Sequence, residues 1–487
     1  MIRKAKIIAT IGPSTSDEVK IKALIKAGMD VARLNFSHGT HQEHADRIHL
    51  LRRLSEEAKK PITILQDLQG PKLRVGELPE NGVEIKTGQL LTLLPSAEYN
   101  KEIDYKATSE NLIIPLDVPN LQKSISVGGR ILLDDGHFEI KVEAIQSGRI
   151  IARVISGGIL RSHKGVNLPG APIQFPGFTE KDRVDLEFGL MSGVDCIAIS
   201  FVRKPEDVVI VRKTINEIDL KKKHIPIIAK LERPEAIDNL TEILEEADGV
   251  MVARGDLAVE TSPSDVPILQ KKIIDLANQC GKTVITATQM LDSMISNPRP
   301  TRAEASDVAN AIFDGTDIVM LSGETASGNY PVESVEMMSC IILEAEEHYL
   351  EWGKSLNRFN ESCMDESLSV AIAARDLSQT KNIDCIAVFT VTGRTAQIMS
   401  KARPLVPILA FTPDQDTYQR LNLYWGVTPF LVPWATSAET MLAHVEKALI
   451  TSASFKGSHK VVIVSSFPVG TKKPPNFILL HQLGTIE

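Results

Sequence analysis

Polar and charged side chains occur at alternate positions near the ends of several apolar stretches. In one of them, Arg33, Asn35 and Ser37 alternate with Leu34 and Phe36. Because a β-strand directs every second side chain to the same face, the three polar groups are predicted to lie together. Burying them without partners is costly, so they need either a structural hydrogen-bond network or a bound ligand or ion. We favour the ligand or ion.

Two further stretches supply a lysine and two acids. Lys230 and Glu232 share one strand face, and Arg254-Gly255-Asp256 closes the next apolar stretch. The carboxylates of Glu232 and Asp256 could hold a divalent cation and leave positions for water and substrate, the usual arrangement around Mg²⁺. The alternative is a pair of salt bridges, Lys230 with one acid and Arg254 with the other. The residues alone do not decide between the two.

Backbone and hydroxyl groups could complete such a site. Gly255 would let backbone N–H groups approach an anion, and a helix beginning there would favour negative charge. Thr288 follows a further apolar stretch. Its hydroxyl could hold a proton-relay water or simply hydrogen-bond the backbone.

Eight apolar stretches of strand length position these residues. They are rich in Ile, Val, Leu and Ala, and helical patterns such as Glu18–Ala27 separate most of them. This alternation predicts an α/β fold, a (β/α)8 TIM barrel, whose active residues lie at the carboxyl ends of the strands. The predicted strands are Ala5–Gly12, Val31–His38, Pro61–Asp67, Cys196–Arg203, Pro226–Glu232, Gly249–Asp256, Thr283–Gln289 and Asp317–Glu324.

The long interval between the third and fourth strands predicts an inserted domain. Short strands are expected there at Glu84–Leu94, Ile131–Leu133, Phe138–Ala144 and Ile150–Ile155, with Gly and Asp turns between them. This pattern indicates an inserted all-β module over residues 71–170, a small β-barrel. The remaining parts, 1–70 and 171–345, together come close to the roughly 250 residues of a typical barrel.

Residues 346–487 are predicted to form a separate, open α/β domain with a mostly parallel sheet. Its first helix is expected at Glu366–Ser378. Its strands are expected at Cys385–Val391, Ile408–Thr412, Val427–Val432 and Val461–Phe467, with an edge strand at Phe477–Leu483.

Composition restricts the class of protein. The formal net charge is −8, from 54 Lys and Arg against 62 Asp and Glu, which argues against sequence-independent nucleic-acid binding. No apolar run approaches the roughly 20 residues of a membrane span, and the first residues do not resemble a secretory signal. The five cysteines are far apart, so we expect reduced thiols in a cytoplasmic protein rather than disulfides or structural zinc.

Seven stretches, distributed along the barrel and the insert, resemble the signature sequences of the pyruvate kinase family. They follow one another in the family's order, which makes the resemblance highly specific. The stretches are ARLNFSHG (32–39), KGVNLP (164–169), IIAKLER (227–233), MVARGDL (251–257), ATQML (287–291), PTRAE (300–304) and LSGETA (321–326).

The resemblance implies transfer of the phosphoryl group of phosphoenolpyruvate to ADP, with Mg²⁺ or Mn²⁺ as cofactor. Glu232 and Asp256 would then bind the metal. Lys230 and Arg33 would neutralise the transferring phosphoryl group from its two sides. Thr288 would help to deliver the proton that converts enolpyruvate to pyruvate.

The resemblance also assigns substrate-binding groups. Backbone N–H groups around Gly255 and Asp256 would take the substrate carboxylate. The insert would close as a lid, and the nucleotide would be bound by Asn35, His38, Arg74 and Lys164. The family is usually a homotetramer, so we expect the same here.

One departure from the family concerns potassium. Many members bind K⁺ through residues matching Asn35, Ser37, Asp67 and the carbonyl of Leu68, and have Glu where this chain has Lys72. The chain resembles the K⁺-independent, bacterial-like branch, in which a lysine ammonium could replace the cation. We therefore expect activity without added K⁺.

A loop in the C-terminal domain predicts an effector site. Thr390, Thr392, Gly393, Arg394 and Thr395 follow a strand and open a helix, which makes a phosphate cradle or an ordinary helix N-cap. In the family this loop binds sugar phosphates or nucleotides, so we expect activation by a phosphorylated metabolite.

Two other functions remain as alternatives at this stage. A Mg²⁺-dependent aldolase or lyase acting on pyruvate enolate would also place an acid pair at barrel strand ends. A catalytically dead metabolite sensor would need only the C-terminal loop. The insert argues against the first alternative, and the intact set of Arg33, Lys230, Glu232, Asp256 and Thr288 argues against the second.

Overall fold

The structure is a computed structural model of the chain. The structure describes residues 3–71, 73–98, 112–118, 125–134, 136–146, 149–170, 177–354, 366–379, 382–451, 455, 459–470 and 473–484.

Eight parallel strands close into a barrel, as predicted. Nearly all of their residues are buried, since one face of each strand packs inside the barrel and the other against helices. Around the barrel, each strand pairs with its neighbour and the first pairs with the last. The strands are β1 (Lys6–Thr10), β2 (Val31–Asn35), β3 (Thr63–Asp67), β13 (Cys196–Ile199), β14 (Ile227–Leu231), β15 (Gly249–Ala253), β16 (Thr283–Ala287) and β17 (Ile318–Leu321).

Most of these strands end two to four residues earlier than the sequence predicted. The predicted strand Val31–His38 stops at Asn35, and Gly249–Asp256 stops at Ala253, where a short helix begins at once. Ser37, Glu232, Asp256 and Thr288 therefore lie in loops or at a helix start, whereas Arg33, Asn35, Asp67 and Lys230 remain within strands. Side chains beyond the strand ends do not follow the strict alternation of a β-strand.

Helices surround the barrel. Thr40 and Glu43 form a capping box at the start of the second helix, and Gly28 ends the first with a φ of 123°. The helices are α1 (Glu18–Ala27), α2 (His41–Glu57), α3 (Glu180–Ser192), α4 (Pro205–Ile218), α5 (Pro234–Asp238), α6 (Leu240–Glu246), α7 (Arg254–Glu260), α8 (Val266–Gln279), α9 (Arg302–Asp314), α10 (Gly323–Ala326), α11 (Pro331–Glu347) and α12 (Tyr349–Trp352).

The interval between β3 and β13 contains an all-β unit with its own apolar core. An isolated bridge between Arg74 and Gly165 links its edges. The predicted strand Glu84–Leu94 is two strands, because a turn at Lys86–Gln89 interrupts it. The strands are β4 (Arg74–Val75), β5 (Val83–Ile85), β6 (Leu90–Pro95), β7 (Leu112–Asp117), β8 (Arg130–Leu133), β9 (Phe138–Gln146), β10 (Arg149–Ser156), β11 (Gly158–Leu160) and β12 (Val166–Asn167).

The C-terminal domain has a five-stranded sheet in the order β20-β19-β18-β21-β22, parallel except for its last strand. The predicted edge strand is thus confirmed as the antiparallel β22. The elements are α13 (Glu366–Ser378), β18 (Cys385–Phe389), α14 (Arg394–Lys401), β19 (Ile408–Thr412), α15 (Gln415–Arg420), β20 (Val427–Leu431), α16 (Ala438–Thr451), β21 (Lys460–Ser465) and β22 (Phe477–Gln482).

The C-terminal domain packs under the amino ends of the barrel strands. Leu423 joins the apolar cluster inside the barrel, and Lys6 Nζ donates to the carbonyl of Val427 at 2.7 Å. Asp317, just before β17, accepts from Lys401 and Arg403 of the C-terminal domain at 2.5 and 2.7 Å. The carboxyl ends of the strands therefore stay open on the opposite side. No helix in the described part of the chain is long and apolar enough to cross a membrane.

Candidate functional site

A buried lysine lies between two acids at the open end of the barrel. Lys230 Nζ is 2.9 Å from Oε1 of Glu232 and 3.2 Å from Oδ1 of Asp67, and it donates to Oγ of Ser200 at 2.7 Å. These residues come from the carboxyl ends of β14, β3 and β13, so Asp67 and Lys230 meet although they are 163 positions apart in the sequence (230 − 67). The barrel thus brings together groups that the sequence placed only at the ends of separate strands.

Arg33 contacts the other side of Asp67. Its Nε and Nη2 are each 2.7 Å from Oδ2 of that carboxylate. Burial would raise the pKa of Asp67, but Lys230 and Arg33 outweigh it and hold the pKa below its ordinary value. Burial likewise would lower the pKa of Lys230, yet Asp67 and Glu232 raise it. Two permanent cations therefore face the centre of the site.

Glu232 and Asp256 form the acid pair of this end of the barrel. Glu232 is 1 % exposed, and its Oε2 accepts from the backbone of Phe201 at 2.8 Å. Burial raises the pKa of Glu232, the nearby Lys230 lowers it, and Asp256 raises it further. Two neighbouring carboxylates form a donor set that suits Mg²⁺, which takes one or two carboxylates and completes its shell with water and substrate. Among the described residues, no group of three or more His, Cys, Asp or Glu could hold a metal by itself.

Arg254 does not pair with Asp256. Its Nη1 donates to Oδ2 of Asp307 at 2.6 Å, and its Nη2 donates to the carbonyl of Thr288 at 2.7 Å. Of the two salt bridges considered from the sequence, that between Lys230 and Glu232 forms and that between Arg254 and Asp256 does not. Asp256 therefore remains available in a cleft between barrel and insert.

Thr288 is held in a left-handed backbone conformation with a φ of 68°, unusual for a β-branched residue. Its Oγ1 accepts from the amide of Gly255 at 2.8 Å and donates to the carbonyl of Ala287 at 2.6 Å. The structure thus joins Thr288 to Gly255. The amide of Gly255 would have to exchange this partner to bind a substrate carboxylate.

Asn35 ends β2, and Ser37 and His38 lie in the loop that follows it. Oδ1 of Asn35 accepts from the amide of Ser37 at 3.1 Å, and the carbonyl of His38 accepts from the ring of His44 at 2.9 Å. The strand ends at Asn35, so Ser37 and His38 do not continue the strand face with Arg33. Leu68, beyond β3, has a buried carbonyl that accepts from Oγ of Ser200 at 2.7 Å.

The insert contributes Arg74 and Lys164, which lie where the bridge between Arg74 and Gly165 joins the two edges of its sheet. Nη1 of Arg74 donates to the carbonyl of His163 at 2.8 Å, and Nζ of Lys164 is 2.9 Å from Oδ1 of Asp134. Both side chains are anchored within the insert. The predicted substitute cation, Lys72, lies outside the described residues.

The insert touches the barrel close to the acid pair. Nδ2 of Asn167 donates to Oε1 of Glu260 at 2.9 Å, and Nη2 of Arg233 is 3.6 Å from Oε2 of the same carboxylate. Glu260 is on the short helix α7 that also contains Asp256. The sequence analysis missed this contact, although Asn167 belongs to the stretch that resembles the family's insert motif.

For the transfer to ADP that the resemblance implies, we expect Asn167→Ala to lower kcat/KM about fivefold or more, because it removes a hydrogen bond to a buried carboxylate that holds the insert to the barrel. Steady-state kinetics with varied ADP would measure this loss. Asn310→Ala, which removes a surface amide on α9, is the matched control. Equal kinetics for the two variants would contradict a role of this contact in positioning the insert.

The predicted effector loop lines a cleft in the C-terminal domain. Oγ1 of Thr390 accepts from the amide of Gly393 at 3.1 Å, which closes a turn in the loop just before α14, and no side chain in the described part of the chain caps that helix. The same cleft is lined by Thr392, Arg394 and Thr395, and by three residues that the sequence analysis missed, Ser465, Ser466 and Lys473. The signal that could have found Ser465 and Ser466 is their position at the carboxyl end of β21, beside β18 in a parallel sheet.

Comparisons with known proteins agree with this architecture. The family model described as Pyruvate kinase, barrel domain, matches residues 2–335, and Pyruvate kinase, alpha/beta domain, matches residues 368–481. A pyruvate kinase of Geobacillus stearothermophilus is 44% identical over 490 residues, covering 100% of this chain and 81% of its own length. Pyruvate kinases of Staphylococcus saprophyticus and Staphylococcus aureus are 41% and 40% identical, each covering 99% of this chain and 81% of its own length. With its barrel, insert and C-terminal domain all accounted for, the chain belongs to the pyruvate kinase family.

Proposed function

We propose that this protein transfers the phosphoryl group of phosphoenolpyruvate to ADP, giving pyruvate and ATP. The observation that carries the proposal is the Lys230 ammonium, held by Asp67, Glu232 and Ser200 at the open end of the barrel, with Arg33 on the far side of Asp67. Phosphoryl transfer through a loose transition state needs positioning and positive charge more than covalent help. Two fixed cations meet that need.

Mg²⁺, or Mn²⁺, fits the acid pair of Glu232 and Asp256. When bound, the ion would stabilise negative charge on the substrate oxygens. Lys230 has a raised pKa, so it stays protonated and can neutralise charge on the phosphoryl group and the enolate. Arg33 would bind the phosphoryl group from the other side.

Thr288 and the amides at Gly255 and Asp256 would act on the rest of the substrate. The amides would bind the carboxylate, which a helix start favours electrostatically. Thr288 would help to deliver a proton to the enolate carbon, because its hydroxyl lies beside the Gly255 amide that would bind the substrate carboxylate. Binding of the carboxylate at Gly255 would free that hydroxyl for the proton relay.

The insert would close over ADP and exclude water that could otherwise hydrolyse the phosphoryl group. Lys164 and Arg74 from the insert, with Asn35 and His38 from the barrel, would contact the nucleotide. For Lys164 this requires that its ammonium exchange Asp134, 2.9 Å away, for a phosphate. Both partners of that ion pair are partly exposed, so the exchange costs little.

A coupled assay tests the proposal. ATP formation should require phosphoenolpyruvate, ADP and a divalent cation together. Failure to form ATP, or carbon–carbon cleavage of the substrate in place of it, would contradict the proposal and favour a lyase.

We expect full activity in buffer that contains no K⁺. Lys72 stands where K⁺-dependent relatives have Glu, and the carboxylate of Asp67 already faces two cations, Arg33 and Lys230. Rates in sodium-free and potassium-free Tris buffer should match those with added KCl at equal ionic strength. Activity that is near zero without K⁺ and restored by it would overturn this expectation, and Lys72→Glu should create such a requirement.

We also propose that a phosphorylated metabolite activates the enzyme through the cleft around Thr390, Thr392, Gly393, Arg394 and Thr395. Arg394 and Lys473 supply positive charge there, and hydroxyls from two strand ends supply hydrogen bonds. A panel of sugar phosphates and AMP should include at least one compound that lowers KM for phosphoenolpyruvate. The Lys473→Met variant should lose that response, whereas flat kinetics across the panel would count against the site. Assembly as a homotetramer stays a prediction that light scattering can check.

A further inference from the structure

The loop that joins β2 to α2, residues 36–40, is held by two side chains that donate to its carbonyl groups. Nζ of Lys181 donates to the carbonyl of Phe36 at 2.9 Å, and Nε2 of His44 donates to the carbonyl of His38 at 2.9 Å. The side chain of Lys181 is 52% exposed, whereas His44 is 1% exposed. Water can therefore replace the first donor but not the second.

The imidazole of His44 is fixed in one place by packing. Its ring lies against the ring of Phe36, with the centroids 4.0 Å apart and the planes 8° from parallel. Phe36 is 3% exposed, and its amide donates to the carbonyl of Asp67 at 2.9 Å. A buried stack of two flat rings leaves His44 little freedom to turn away from the loop.

The ring of His44 is neutral, with its single proton on Nε2. Burial lowers the pKa of His44 from its ordinary value of 6.5, and Nδ1 is buried without a hydrogen-bond partner in the part of the chain that the structure describes. In a neutral imidazole one nitrogen donates and the other accepts, whereas a carbonyl can only accept. The proton of His44 is therefore committed to the carbonyl of His38.

The peptide between His38 and Gly39 depends on this contact. Gly39 has a φ of 81°, in the left-handed region where a glycine backbone rotates at little cost. The amide of His38, in the preceding peptide, donates to the carbonyl of Asn35 at 3.2 Å. The amide of Thr40, in the following peptide, donates to Oε2 of Glu43 at 2.7 Å. The imidazole holds the peptide between them.

The orientation of this peptide determines which group the loop exposes. In a trans peptide the C=O and N–H groups point in opposite directions. Because the carbonyl of His38 is directed to the buried ring, the N–H group of Gly39 is directed away from it, and Gly39 is exposed. An N–H group just before the 17-residue helix α2 favours a phosphate. Reversal of the peptide would present a carbonyl oxygen, which repels a phosphate.

We infer that His44 is a positioning residue for nucleotide binding. It holds the peptide between His38 and Gly39 so that the loop presents an N–H group, and not a carbonyl oxygen, to the phosphates of ADP. The inference rests on the proposed function, which takes ADP as the ligand of this loop. Phosphoenolpyruvate would be bound by Arg33, Lys230 and α7 instead, so we expect its binding not to depend on His44.

Two substitutions separate the hydrogen bond from the packing. His44→Phe keeps a flat ring of similar size against Phe36 but lacks the N–H group, so it should stay folded and raise the Kd and KM for ADP about five- to tenfold. His44→Gln loses the stacked ring but can place its amide nitrogen near the position of the ring Nε2, so it should recover most of the affinity. A merely structural role of His44 predicts the reverse order, because phenylalanine preserves the packing and glutamine does not.

Calorimetric titration of the whole chain with ADP and Mg²⁺, together with initial rates at varied ADP and phosphoenolpyruvate, measures these effects. In His44→Phe, kcat and the KM for phosphoenolpyruvate should stay within about twofold of the wild type. His49→Phe is the matched control, since His49 is an exposed residue of the same helix, and it should bind ADP as the wild type does.

Unchanged affinity of His44→Phe for ADP would overturn the inference, as would a His44→Gln enzyme that binds ADP more weakly than His44→Phe does. An equal rise of KM for both substrates would also contradict it, because the loop would then act on the whole site. A wild type that neither binds ADP nor forms ATP would instead refute the proposed function, and the inference would fall with it.

Discussion

Replacement of Lys230 by Met should lower kcat by about 10³-fold or more, with a much smaller change in KM for ADP. The ammonium is buried, has a raised pKa, and lies within 3.2 Å of both Asp67 and Glu232. Its charge is therefore fixed in a place where water cannot replace it. Removing it takes away positive charge that acts mainly in the transition state. Initial rates of ATP formation at varied phosphoenolpyruvate and ADP would measure the loss.

Two controls separate catalysis from folding in this experiment. Lys271→Met removes a lysine whose ion pair with Asp314 is on the surface, and it should keep the activity of the wild type. Ser200→Ala removes only the hydrogen bond to Nζ, so it should reduce kcat far less than Lys230→Met does. A Lys230→Met enzyme that melts as the wild type does and retains its turnover would disprove the role assigned to the lysine.

Replacement of Asp317 by Asn should destabilise the protein by about 3–5 kcal/mol. Asp317 is 1% exposed and accepts from Lys401, Arg403 and the amide of Val284, so the variant leaves two buried cations without their counter-charge. This carboxylate also links the C-terminal domain to the starts of β16 and β17. Denaturation in urea, followed by far-UV circular dichroism, would measure the change in midpoint.

The pH dependence of this variant has a definite sign. Burial would raise the pKa of Asp317, but Lys401 and Arg403 hold it below its ordinary value of 3.8. The stabilisation is therefore complete above pH 3.8 and is lost as the pH falls through the lower, folded-state value. The difference between wild type and Asp317→Asn should shrink in acid. It should also shrink as the pH rises towards 8, because burial lowers the pKa of Lys401 to about 8 and the loss of Asp317 lowers it further.

The matched control is Asp416→Asn, which breaks an exposed ion pair with Lys222 across the same two domains. Exposed pairs contribute about 1 kcal/mol or less, so this variant should unfold close to the wild-type midpoint. Equal destabilisation by the two substitutions would show that burial of Asp317 is not what makes it important.

Much of the fold followed from the local pattern of the sequence. All eight barrel strands occur within the stretches where apolar runs predicted them, and the helix Glu366–Ser378 has the predicted bounds. Buried parallel strands give a strong signal because both of their faces are apolar. The insert was harder to predict, and the strands β4, β7, β11 and β12 were missed. Two of these have only two residues, and Pro115 interrupts the apolar pattern of β7.

The site was predictable as a set of residues but not as a set of contacts. Alternation at strand ends singled out Arg33, Lys230 and Glu232. The pattern could not reveal that Asp67 joins Arg33 to Lys230, because each residue comes from a different strand. It also left open whether Arg254 faces Asp256, which the structure decides by directing its guanidinium to Asp307.

The sequence by itself determined the strands, the polar residues at their ends and the family, since these depend on neighbours along the chain. Only the tertiary structure decided which of those residues meet. The contacts of Asn167 with Glu260 and of Lys401 with Asp317 join residues far apart in sequence. Such contacts depend on how whole domains pack, and packing is set by the shapes and charges of complete surfaces rather than by any local pattern.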